Sequence, residues 1–129
     1  MKKQGILNAA LSREIASLGH TDLVVVGDCG LPRPPGVPVV DLAVTFGIPT
    51  FAEVLGALEV ELEIEAAILA EETRRANPSA HELVKGLFGD PGWVTHEELK
   101  TLSGSARLLV RTGEATPYAN VILRCGVPF

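Results

Sequence analysis

The chain has 129 residues, 47% of them hydrophobic and only 5% aromatic, and a formal net charge of −5. That length fits one domain over residues 1–129. An acidic balance with scattered basic residues leaves no electrostatic footprint for nucleic acid, and no apolar run approaches the ~18 residues that cross a membrane. Mean hydropathy is +0.28, and a domain of this size keeps much of its surface in water. The aliphatic excess therefore predicts a homo-oligomer in which other copies cover part of that surface. The segment Met1–Asn8 has two lysines but lacks the long apolar core of a secretory signal, so the expected location is the cytoplasm. Cys29 and Cys125 are too few for a disulfide framework and are expected as thiols.

Asn8 to Leu18 reads as a helix with Leu11, Ile15 and Leu18 on one face and Gly19 as its C-terminal cap. Leu23 to Val26 is a continuous aliphatic run, as expected of a strand buried on both faces. Leu31 to Pro38 is rich in proline and reads as a rigid connector. Val39 to Val44 is a second strand. Thr50 with Glu53 forms a capping-box pattern that opens a helix to about Leu62. Ala66 to Ala70 is a third strand. Ser79 with Glu82 repeats the capping pattern for a helix to about Phe88, with His81 on its exposed surface. Gly92 to Thr95 is a short strand, and Thr95 with Glu98 caps a helix to about Leu102. Leu108 to Val110 and Val121 to Leu123 complete the strands. Strands alternating with helices predict an α/β single-domain sandwich with a mostly parallel sheet flanked by helices.

Polar residues cluster where apolar runs end, which in α/β sheets is where ligands bind. His20 follows the first helix, whose negative end favours a charged imidazole. It reads either as a catalytic group or as a loop residue satisfying the helix end. Asp28 ends the first strand between Gly27 and Gly30, as a site residue or as an Asx turn; Asp22 reads as a strand-entry residue. His96 sits in the first turn after Thr95, where the helix dipole disfavours a charged ring. It is a site residue or an exposed first-turn residue. Tyr118 and Asn120 flank Ala119 after Thr116-Pro117. Tyr offers a ring face and a hydroxyl, and Asn offers a donor and an acceptor that match vicinal hydroxyls. The alternative is a Pro-led turn into the next strand. Arg111 and Glu114 read as a structural ion pair, and Glu71-Glu72 as an acid–base pair or a solvated patch. No phosphate loop, dinucleotide fingerprint or nucleophile elbow is present. This set suits a small neutral polyol.

The chain resembles the D-ribose pyranase family, whose relatives include the fucose mutarotases. The likeness runs through Lys3-Gln4-Gly5-Ile6-Leu7-Asn8, Gly19-His20-Thr21-Asp22, Asp28-Cys29-Gly30-Leu31-Pro32 and Asp41-Leu42-Ala43. It continues through Gly47-Ile48-Pro49, Ala70-Glu71-Glu72, His96-Glu97-Glu98, Arg111-Thr112-Gly113-Glu114, Thr116-Pro117-Tyr118-Ala119-Asn120 and Gly126-Val127. Gly-Leu-Pro after Asp28 looks like the ribose branch; Cys29 stands where the family more usually has alanine. The resemblance implies an enzyme interconverting the pyranose and furanose forms of D-ribose. It also implies a ring-shaped homo-oligomer with sites at subunit boundaries. By motif match His20 takes the catalytic acid position, and Asp28, His96, Tyr118, Ala119 and Asn120 take sugar-binding positions.

The expected reaction opens a cyclic hemiacetal and recloses it on another hydroxyl. Only protons move, so neither cofactor nor metal is expected. The competing readings are a non-catalytic sugar-binding ring attached to a transport system, and fucose mutarotation.

Overall fold

Val24, Val25 and Val26 are β-branched, and each is fully buried at the centre of strand β1 (Leu23–Gly27). The computed structural model describes residues 1–129 and builds one sheet around this strand. The remaining elements, in chain order, are helix α1 (Ala9–Ala16) before β1, then β2 (Val39–Asp41), α2 (Phe51–Glu59) and β3 (Ile64–Ala70). They continue with α3 (Thr73–Ala76), α4 (Pro78–Phe88), β4 (Gly92–Val94), α5 (His96–Ser103), β5 (Leu108–Arg111) and β6 (Val121–Cys125). The sheet order is β2-β5-β1-β6-β3-β4. All neighbouring pairs are parallel except the two that β6 makes, with β1 and β3. This is the expected mostly parallel α/β sheet, with one strand reversed.

Alternation along β1 divides the interior. Val24 and Val26 join the larger core, which also holds Leu11 and Ile15 of α1, Leu55 and Leu58 of α2 and Val84 of α4. Val25 points the other way, into a smaller cluster with Leu109, Ile122 and Leu99 of α5. Each such buried aliphatic side chain contributes about 1.5–3 kcal/mol. Three helices thus cover one face and α5 covers the other.

Several expected boundaries move for identifiable reasons. Helix α1 begins as expected, with the Asn8 side chain accepting from Leu11 N–H, but its C-cap is Ser17 and not Gly19. The Ser17 hydroxyl donates to the Glu14 carbonyl at 2.7 Å and satisfies that end early. Strand β2 stops at Asp41, whose carboxylate accepts from Ala43 N–H at 3.0 Å and turns the chain outward. Helix α2 ends at Glu59 instead of Leu62. The Thr50/Glu53 and Thr95/Glu98 capping boxes both form. The Ser79/Glu82 box does not. Asn77 caps α4 from Ala80 N–H, with Pro78 at the first helical position, where a missing N–H costs nothing. The short helix α3 was not expected; no side chain caps its start.

The topology has one consequence for function. The carboxyl ends of β1, β3, β4 and β5 and the start of β6 share one edge of the sheet. The opposite edge gathers the residues before β1, the start of β3 and the end of β6.

Candidate active site

Asp28 leaves the carboxyl end of β1, and Asn120 immediately precedes β6 beside it. The Asn120 side-chain oxygen accepts from Asp28 N–H at 2.9 Å, while its Nδ2 donates to Asp28 Oδ2 at 3.0 Å. Asn120 is 2% exposed and Asp28 is half-buried, so this two-point clamp is shielded from water on its Asn120 side. Gly27 makes it sterically feasible: a Cβ there would meet Leu31 Cδ2 at 2.7 Å and Asn120 Oδ1 at 3.0 Å. The second Asp28 oxygen accepts from Gly30 N–H at 2.9 Å. Asp28 therefore forms the expected Asx turn and also joins the polar cluster at the strand ends. Burial pushes the Asp28 carboxyl above its usual range, opposed by hydrogen bonds from Gly30, Asn120 and Leu31 and by the nearby His96.

His96 is the first residue of α5, brought to this edge by β4 and the Thr95 cap. Its backbone N–H donates to Glu72 Oε2 at 2.9 Å. Glu72 thus serves as an anchor for the helix start. The His96 ring stands edge-on to Tyr118, with centroids 5.1 Å apart at 88°. Its Nδ1 is buried without a hydrogen-bond partner. Such an orphan is rare.

Tyr118 holds a left-handed backbone at φ 55°. For a bulky residue that conformation needs support from its surroundings. Thr73 supplies part of it, its hydroxyl donating to the Tyr118 carbonyl at 3.1 Å. Asn77 supplies more, its Nδ2 donating to Thr116 Oγ1 at 2.8 Å and to the Pro117 carbonyl at 2.9 Å. Ala119 is buried between Tyr118 and Asn120. Sequence reasoning missed the roles of Thr73 and Asn77; only the Asn-Pro cap pattern at Asn77 gave a signal.

The loop before Tyr118 is secured by Glu114. Burial works against its charge, but hydrogen bonds from Phe51 N–H, from the N–H and hydroxyl of Thr116 and from Ala115 N–H hold the carboxyl below its usual range. Glu114 does not pair with Arg111. Arg111 Nη1 instead lies 3.0 Å from Asp41 Oδ2, and its Nε donates to the Cys29 carbonyl at 3.0 Å. The Cys29 carbonyl thereby helps fix the turn after Asp28. Beside it, Cys29, Arg111 and the 43–46 loop line a cavity of about 220 Å³.

His20 lies elsewhere. It precedes β1 at the opposite sheet edge, near Arg124 and Cys125, whereas Asp28, His96, Tyr118 and Asn120 share the carboxyl edge. Five strand residues separate the two edges, roughly 17 Å at the usual rise. Within one chain the structure brings together five of the six expected site residues and leaves His20 apart. Its Nε2 is 3.1 Å from Glu65 Oε2. His81 is half-buried rather than exposed, edge-on to Trp93 with centroids 4.8 Å apart. No three His, Cys, Asp or Glu side chains gather closely enough to hold a metal ion.

A mostly parallel α/β sheet with donors and acceptors at its strand ends, beside an aromatic ring, defines a protein built to hold a small hydroxylated ligand. More specifically, the chain belongs to the RbsD / FucU transport protein family, whose profile matches residues 1–128. It is 57% identical to a D-ribose pyranase of Streptomyces avermitilis and 54% identical to D-ribose pyranase 1 of Rubrobacter xylanophilus, in each case over 100% of both chains. Among solved structures it matches Bacillus subtilis RbsD complexed with D-ribose at a TM-score of 0.95 and 43% identity, covering 100% of both chains. The fucose mutarotase of Streptococcus pneumoniae in complex with L-fucose matches at a TM-score of 0.81 and 18% identity, over 99% of this chain and 100% of that one. That likeness is one of fold.

Proposed function

We propose that this chain, acting over residues 1–129 as one domain, is an isomerase that interconverts the pyranose and furanose forms of D-ribose. The observation that carries the reading is the site itself: the half-buried Asp28–Asn120 clamp beside an unpartnered His96 Nδ1, in a chain 57% identical to a D-ribose pyranase. An Asp carboxylate and an Asn amide offer acceptors and donors to adjacent hydroxyls, and each Asp28 oxygen retains acceptor capacity. Tyr118 closes one side with its ring.

His20 enters from a neighbouring copy. In this reading the protein is a ring-shaped homo-oligomer, and each site joins the carboxyl edge of one chain to the His20 turn of the next. The exposed hydrophobic residues Val44, Phe46 and Ile48 support assembly. A cytoplasmic location fits the two free cysteines.

The reaction follows from the groups. A base, in this reading the His96 ring, takes the proton of the anomeric hydroxyl. The imidazolium of His20 protonates the ring oxygen as its bond to the anomeric carbon breaks. The open aldehyde then recloses through the 4-hydroxyl, and the two protons return. Such acid–base help is worth ~10²–10⁴-fold, ample for a reaction that already proceeds in water.

Saturation-transfer NMR on ribose tests this directly. Exchange between ring forms should be accelerated by the protein and lost in His20→Ala, with folding and most ribose binding retained. Full exchange by that variant contradicts the assignment. The same measurement with L-fucose separates the two sugar branches.

A further inference from the structure

We propose that Glu65 is a positioning residue for His20: its carboxylate fixes the imidazole in the tautomer that leaves Nδ1 to exchange a proton with the sugar. The inference rests on the reading of His20 as the acid of the reaction.

The geometry is specific. Glu65 Oε2 lies 3.1 Å from His20 Nε2, and Glu65 Oε1 lies 2.8 Å from Arg124 Nε. Arginine only donates, and an ionised carboxylate only accepts. His20 must therefore present Nε2–H to Glu65. Nδ1 then carries the lone pair when the ring is neutral and the transferable proton when it is charged. No other hydrogen bond engages the ring. Its side chain stays 52% exposed, which leaves it open to a sugar brought by another copy. In the reaction, the Nδ1 proton passes to the ring oxygen, which keeps the electron pair of the broken bond. The ring that remains is neutral, with Nε2–H still on Glu65.

The backbone is built around this contact. Ile64 pairs with Cys125 and Ala66 with Arg124, so Glu65 is the extra residue of a β-bulge in β3. Bulges re-aim a side chain and occur beside active sites. Gly126 makes room for this one, because a Cβ there would meet Glu65 Cβ at 3.3 Å. The His20 turn is fixed as well. Asp22 Oδ2 accepts from Gly19 N–H at 2.8 Å, Thr21 N–H donates to the Cys125 carbonyl at 2.9 Å, and Thr21 is held at φ 70°. Asp28, the carboxylate among the expected site residues, is engaged at the other edge of the sheet.

The test combines proton–nitrogen correlation NMR of the labelled full-length protein with exchange kinetics of Glu65→Gln. Neutral His20 in the wild type should be protonated on Nε2. In E65Q both tautomers should appear, because glutamine can donate or accept. Its kcat should fall roughly 10–100-fold, the scale for losing a group that orients an imidazole. KM should stay within about twofold, since no sugar contact is removed. Wild-type His20 protonated on Nδ1, or a folded E65Q with wild-type kcat, overturns the inference and leaves the role of His20 standing. Should E65Q fail to assemble, the wild-type tautomer decides alone. Full exchange by H20A overturns the parent reading and this one together.

Discussion

Asn120 uses both ends of its amide on one neighbour, accepting from Asp28 N–H and donating to Asp28 Oδ2. An aspartate at 120 keeps the first bond but sets oxygen against oxygen in the second. Burial already pushes Asp28 above the usual carboxylate range. A carboxyl whose folded value is raised binds its proton more readily when folded, so it lowers stability above that value and stops doing so as the pH falls. Asn120→Asp should therefore be less stable than the wild type by about 1–3 kcal/mol at pH 7, the scale of an unsatisfied buried polar group. The gap should narrow on acidification, once one proton is shared across the pair. Urea unfolding at neutral and acidic pH measures both; a gap independent of pH contradicts the account. Residues such as Asp28, His96 and Asn120 were legible because each is polar at the end of an apolar run. Glu65 was not. In sequence it continues the acidic alternation of Glu61 and Glu63, which reads as a solvated face, and nothing local announces a bulge.

Helix starts carry the site at the next scale. Thr95 accepts from Glu98 N–H at 3.1 Å and Glu98 returns a bond to Thr95 N–H at 2.7 Å, so the first turn of α5 is closed on itself with His96 inside it. Glu72 ties the same turn to the end of β3. Thr95→Ala removes one bond of the box and should lower stability by about 1 kcal/mol. Because it loosens the segment that holds His96, it should also weaken ribose binding, read by calorimetric titration. Thr50→Ala, the same change at α2, should lose similar stability without the binding defect. Equal binding losses in both would show a global effect and remove the link. Capping boxes were readable from sequence because both halves are local. At Ser79 the same pattern misled, because Asn77 caps the helix from Ala80 N–H and Pro78 opens it, which leaves Ser79 inside the first turn instead of at the cap. The exact end of β2 escaped for another reason: Asp41 is held by Arg33 and Arg111, which arrive from other parts of the chain.

For the whole molecule the question is how two sheet edges serve one reaction. A strand cannot fold back to bring His20 to Asn120, so a shared site requires a second copy arranged head to tail, as in a closed ring. Genetic complementation in the test tube follows. His20→Ala chains keep the carboxyl edge, and Asn120→Ala chains keep the His20 turn. Each pure assembly should be inactive. After co-refolding equal amounts, about one boundary in four pairs an intact His20 with an intact Asn120 if chains mix at random. Exchange should return to roughly a quarter of the wild-type rate, the mixing being checked by native mass spectrometry of a mass-tagged chain. If mixed assemblies form and exchange stays absent, the boundary is not where the reaction occurs. The same logic fixes a second arm of the experiment. Phe46 is 80% exposed and is not among the residues proposed to touch the sugar. Phe46→Glu should affect exchange only if it also breaks the assembly, so activity and particle mass must fall together across a dilution series. A variant that dissociates yet retains full exchange would place the whole reaction within a single chain, against the roughly 17 Å that separate its two edges.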